Sequence, residues 1–81
     1  MSETSDVATA VTRIWQEALG VEDISAEDGF FELGGDSLVA TRMVARLRDE
    51  LGIAVSLLTI FDNPTLGEFI LELETGVADP V

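Results

Sequence analysis

Ser37 is the residue of this chain best placed to do chemistry. It stands in the run Phe30-Phe31-Glu32-Leu33-Gly34-Gly35-Asp36-Ser37-Leu38, after a glycine pair and before a strongly periodic stretch. A serine attacks as a nucleophile only when a base activates it. The 81-residue chain has no His, Cys or Tyr, and its 4 basic residues are all arginine. Gly35-Asp36-Ser37-Leu38-Val39 shows part of the nucleophile elbow G-x-S-x-G, but Val39 stands where the last glycine belongs. A serine hydrolase is therefore excluded within this chain, and no residue is expected to be catalytic. No metal site is expected either, since thiolate and imidazole ligands are missing. An EF-hand reading of the acidic loop fails: with Gly29 at the sixth position, Gly35 would have to be the bidentate acid. Two readings of Ser37 stay open on these residues alone. A serine there can cap the helix, or its hydroxyl can carry a group whose negative charge suits a helix start. Asp36 can itself act as the cap and free Ser37, while Gly34 and Gly35 allow a sharp turn and keep bulk away.

The elements that would hold this serine are helical. Residues 6–19 carry Val7, Val11, Ile14, Trp15 and Ala18 at helical spacing, with Thr4 or Ser5 as cap and Gly20 as stop. Residues 21–36 form a long acidic connection anchored by Ile24, Phe30, Phe31 and Leu33, with Phe30 and Phe31 expected in the core. A second helix begins at Asp36 or Ser37 and runs to about Leu51, its stripe being Ala40, Met43, Val44, Leu47 and Leu51. A short helix over 57–62 follows with Ser56 as cap. After the Asn63-Pro64 break, Thr65-Leu66-Gly67-Glu68 reads as a capping box opening the last helix. Phe69, Ile70 and Leu73 should face inward, and the tail from Gly76 to Val81 should fray. The expectation is an all-α small bundle of three principal helices plus one short helix. It forms one domain over 1–81, ordered from about 5 to 75.

Charge narrows the function further. Sixteen acids against four arginines give a net charge of −12, opposite to what neutralising nucleic-acid phosphates requires. Arg42, Arg46 and Arg48 all follow Ser37, and residues 36–51 balance to zero. No segment approaches the roughly 20 apolar residues of a membrane span. The acidic start Met1-Ser2-Glu3 is unlike a secretory signal. A cytoplasmic monomer is expected, with no nucleic acid and no membrane as partner.

The run from Phe30 to Ala40 resembles the core motif of the peptidyl carrier proteins, or thiolation domains, of nonribosomal peptide synthesis. The resemblance continues through Leu47-Arg48, Leu51-Gly52, Phe61-Asp62-Asn63-Pro64-Thr65-Leu66 and the last helix, nearly the whole chain. It implies an acyl-carrier-like fold and a 4′-phosphopantetheine arm on Ser37, with Asp36 and Gly35 beside it. A separate phosphopantetheinyl transferase would install the arm from coenzyme A with magnesium. An adenylating enzyme would load an aminoacyl or aryl group as a thioester, and condensation or tailoring enzymes would act on it next. Such a chain is a non-catalytic carrier. Tethering keeps the cargo at high local concentration for successive partners.

Fatty-acyl carriers typically have an acidic second helix. Arg42, Arg46 and Arg48 here favour the peptidyl type, and Asp36 stands where this subclass often has His. Leu38 is a candidate partner contact because the helical period points it away from the core stripe. Met43, Arg42 and Arg46 are further candidates. The chain is expected to be free-standing rather than embedded in a larger synthetase. The alternatives are an acyl carrier of a polyketide-type pathway and an unmodified acidic interaction module in which Ser37 only caps.

Overall fold

A computed structural model describes residues 3–76, and their side chains from 7 to 74. Four helices follow in order. They are α1 (Glu3–Leu19), α2 (Ser37–Arg46), α3 (Leu57–Asp62) and α4 (Leu66–Gly76), and α2 runs on into a wider π-type turn over Leu47–Leu51. No strand occurs among the described residues. The only sheet-like feature among them is an isolated antiparallel bridge between Gly29 and Thr65. The expected three principal helices and one short one are all present. Helix α1 starts earlier than its capping signals imply, so Thr4 and Ser5 lie inside its first turn. The tail beyond residue 76, expected to fray, lies outside the described residues.

The core follows from helical spacing. Val11, Ile14 and Trp15 of α1, Ala40 and Met43 of α2 with Leu47 of the π-type turn that continues it, and Leu66, Phe69 and Leu73 of α4 are buried at i, i+3, i+4 or i+7 intervals, as one-face stripes require. Ile60 of α3 and Phe30 of the first loop complete the set. Each large side chain taken fully from water contributes about 1.5–3 kcal/mol. Trp15 sits at the centre, edge-on to Phe30 at 5.3 Å and tilted against Phe69 at 5.5 Å. Its Nε1–H finds no acceptor among the described residues. That unmade hydrogen bond costs about 1–3 kcal/mol against the burial of the ring.

Glycines end two of the helical runs. Gly20 (φ +73°) and Gly52 (φ +70°) take the left-handed conformation that glycine adopts without a Cβ penalty. The amide of Gly52 bonds to the Arg48 carbonyl at 3.0 Å, and that of Ile53 reaches back to Leu47 at 3.3 Å. Ser56 caps α3 by accepting the Leu58 amide at 2.9 Å. Thr65 caps α4 by accepting the Glu68 amide at 3.2 Å.

The loop between α1 and α2 is fastened, not loose. Asp28 accepts the Ser25 amide through its carboxylate at 2.9 Å, making a local turn. Backbone bonds then tie the loop to the α3–α4 junction. Gly67 donates to Ala26 (2.9 Å), Leu66 to Asp28 (3.0 Å), and Phe30 to Pro64 (2.7 Å). The segment that leads into Ser37 is thereby registered against the start of α4, an element far from it in sequence.

Candidate functional site

Ser37 is the first residue of α2 and is exposed. Asp36 holds the cap position in extended conformation (φ −143°, ψ −172°), and its carboxylate accepts the Val39 amide at 3.0 Å. The acid thus fills the capping role, and the Ser37 hydroxyl has no hydrogen-bond partner among the described residues. Thr41, one turn on, donates its hydroxyl to the Ser37 carbonyl at 2.8 Å, which holds the serine backbone but not its side chain. No acid stands in the first turn of α2. A group esterified to Ser37 would place its anionic charge at the positive end of the helix dipole, which it would share with the Asp36 carboxylate.

The two glycines before Asp36 serve different needs. Gly34 has φ +103° and open space around it, so its requirement is conformational. Gly35 has an ordinary φ, but a Cβ there would fall onto the edge of the Phe30 ring and 2.8 Å from the Phe30 carbonyl oxygen. Its requirement is steric. Beyond the expected turn and outside access, Gly35 makes room for a core ring.

The four expected partner contacts separate sharply. Leu38 is 60% exposed, on the outer face of α2 beside the serine. Met43 is fully buried, since it shares the inward stripe with Ala40 and Leu47, and so presents nothing to a partner. Arg46 is engaged within the protein. Its guanidinium reaches Glu50 at 2.7 Å and Glu17 of α1 at 2.7 Å, while Arg13 of α1 reaches Glu50 at 3.0 Å and Glu17 at 3.9 Å. These bonds raise the Arg46 pKa, through Glu50 first and Glu17 second. They lower that of Glu50, through Arg46 first and Arg13 second. Arg42 is exposed and joins no such pair among the described residues. Of the two arginines expected as contacts, only Arg42 faces solvent unpaired.

Phe31, expected in the core, is instead 38% exposed. It stands edge-on to Phe30 and stacks on Phe61 of α3, with ring centroids 5.3 Å apart and planes 13° from parallel. Adjacent aromatic residues in this loop point to different sides, so one Phe enters the core and the other covers the surface between loop and α3. With Leu38, Leu58 (68% exposed) and Phe61 (48% exposed), the faces of α2 and α3 show several large apolar side chains. Sequence reasoning misses those on α3, because a six-residue helix is too short for a readable period.

The bundle presents an exposed serine at the first position of a capped helix, its hydroxyl without a partner among the described residues, an arrangement that suits a carrier scaffold. The chain belongs to the phosphopantetheine attachment site family, which matches residues 9–73. It is similar to malpinin synthetase of Mortierella alpina, 48% identical over 65 residues that make up 79% of this chain and 1% of that protein. Among solved structures it resembles a prototype peptidyl carrier domain of modular peptide synthetases. The TM-score is 0.72 at 32% identity, covering 85% of this chain and 91% of that one. It also resembles part of the nonribosomal peptide synthetase FmoA3, with a TM-score of 0.76 at 38% identity over 85% of this chain and 7% of that one. The chain spans about 1% of the length of the first curated relatives it matches. The domain is thus of the peptidyl carrier type, and 4′-phosphopantetheine is the prosthetic group of its family. The site fits that group: the hydroxyl is exposed and unengaged, and the helix end is positive. When attached, the arm supplies a thiol, which this cysteine-free chain lacks. No described helix is long and apolar enough to cross a membrane.

Proposed function

We propose that Ser37 is the attachment residue for 4′-phosphopantetheine. On this arm the domain holds an aminoacyl, peptidyl or aryl group as a thioester and delivers it to partner enzymes of nonribosomal peptide or related secondary-metabolite synthesis. The observation that carries this reading is the division of labour at the start of α2, where Asp36 caps and Ser37 stays free. In the transfer, the Ser37 oxygen forms a bond to the β-phosphorus of coenzyme A. The pyrophosphate bond breaks, 3′,5′-ADP leaves, and the hydroxyl proton passes to the transferase or solvent. The chain supplies position and a favourable field, and the transferase supplies the base and the magnesium.

Loading by an adenylating enzyme, and onward transfer by condensation or tailoring enzymes, follow from the same reading. Leu38 and Arg42 stand near the serine and exposed, which supports a partner surface that pairs an apolar depression with an acid. The protein is read as a cytoplasmic monomer. Incubation with coenzyme A and a promiscuous phosphopantetheinyl transferase tests the assignment. The intact mass should rise by about one phosphopantetheine, on the order of 340 Da, and Ser37→Ala should show no gain. A folded wild-type protein that gains no mass would leave only an acidic interaction module.

A further inference from the structure

Phe30 is where three separate constraints on the serine segment converge. Its amide donates to the Pro64 carbonyl at 2.7 Å, which fastens it to the junction before α4. Its carbonyl accepts the Gly35 amide at 3.0 Å. Its ring is fully buried edge-on to Trp15 and occupies the space that a side chain at Gly35 would need. Gly35 is two residues from Ser37, with only the extended Asp36 between them. The backbone path from Phe30 to the hydroxyl is therefore short and closely packed.

We propose that Phe30 is a positioning residue for the modification of Ser37: ring and carbonyl together set where the Gly35–Asp36–Ser37 segment lies, and so how well the hydroxyl is presented to the transferase. This rests on the carrier reading of Ser37. It extends that reading from the residue that is modified to the buried residue that aims it. The close packing of Phe30 against Gly35 gives the coupling its mechanism. Shrinking the ring frees the Gly35 backbone to move, and adding a methyl at Gly35 forces either the ring or the segment aside. Phe30 is fully buried and offers a docking partner no surface of its own. The effect should then fall on turnover rather than on carrier affinity.

The test is the initial rate of pantetheinylation at saturating coenzyme A across a range of carrier concentrations, for Phe30→Leu, Gly35→Ala, the double variant and Phe69→Leu. Phe69→Leu trims the other ring packed on Trp15 and is the control for general core loosening. Phe30→Leu should lower kcat about tenfold with KM little changed, since small misplacements of reacting groups carry penalties of this order. Phe69→Leu should stay near wild type at equal folded fraction. Gly35→Ala should be slower still, and the double variant should recover at most part of that loss, because the smaller side chain vacates the ring edge while the Phe30 carbonyl oxygen, 2.8 Å from the added Cβ, stays in place. The backbone amide resonances of Asp36 and Ser37 should shift in Phe30→Leu and not in Phe69→Leu. If Phe30→Leu proves unfolded, Phe30→Met takes its place in both measurements. Equal rates for the Phe30 and Phe69 variants overturn the proposal while the carrier reading stands. A wild-type protein that gains no mass removes both.

Discussion

The carboxylate of Asp36 accepts the backbone amide of Val39 at 3.0 Å, across the first turn of α2. It takes the bond that a capping serine would otherwise make, and the Ser37 hydroxyl has no hydrogen-bond partner among the described residues. Asp36→Ala should cost about 1 kcal/mol, the usual value of a lost cap, seen as a melting temperature lower by about 4–8 °C for a domain of this size. Asp36→Asn keeps the acceptor and should melt close to wild type. If the alanine variant is unaltered in stability, Asp36 is not the working cap.

Leu38 and Met43 lie on opposite faces of α2 and should respond in opposite ways. Met43→Ala empties a fully buried site and should cost about 2–5 kcal/mol, read from urea unfolding. Leu38→Ala removes exposed surface and should stay within about 0.5 kcal/mol, yet slow loading by the adenylating partner. A Leu38 variant that unfolds easily but is loaded at the wild-type rate would contradict the assignment.

Arg42 and Arg46 differ in the same manner, through charge. Arg42→Glu should leave the melting temperature near wild type and weaken partner reactions most at low salt, where unscreened charge acts over longer distances. Arg46→Gln should instead destabilise the fold, because it breaks the link between α1 and the end of α2. Thermal melts and loading rates at two ionic strengths separate the two effects.

Glu50 gives the network a pH signature. Its carboxyl is held below the usual glutamate value of 4.5 by hydrogen bonds from Arg46 and then Arg13. A carboxyl whose pKa is lower in the folded state stabilises the fold above its unfolded pKa, and the contribution disappears as pH falls through the folded value. The urea midpoint of Glu50→Gln should thus lie below wild type at pH 7, and the gap should close as pH drops below about 4.5. Comparing the two proteins at each pH cancels the easing of general acidic repulsion that both share. A gap that stays constant into acid would show that the side chain acts by shape and not by charge.

Much of this architecture is readable along the chain because it is local. Four helices, their glycine stops, the Ser56 and Thr65 caps and the Asp36–Ser37 arrangement all arise from residues within about one turn of each other. The run from Phe30 to Ala40 carries the family resemblance. Relations between elements are not readable in this way. Period places Met43 and Leu38 on opposite faces of one helix but does not say how wide the buried stripe is. Arg46 looks like any solvated arginine until α1 is packed beside α2, which brings Glu17 within 2.7 Å.

The sequence by itself determined that a serine would stand at the start of a helix, beside an acid able to take the cap, in a chain with no His, Lys, Tyr or Cys. The absence of imidazole, amine, phenol and thiol side chains, and the presence of an acid next to the serine, both belong to composition and adjacency. Only the tertiary structure decided why Gly35 must be glycine and where the serine segment is held. Phe30 enters the core beneath that segment and hangs from Pro64, far along the chain, whereas Phe31 turns out to meet Phe61. Those contacts depend on how the loop closes onto the α3–α4 junction, a long-range packing that no local period encodes.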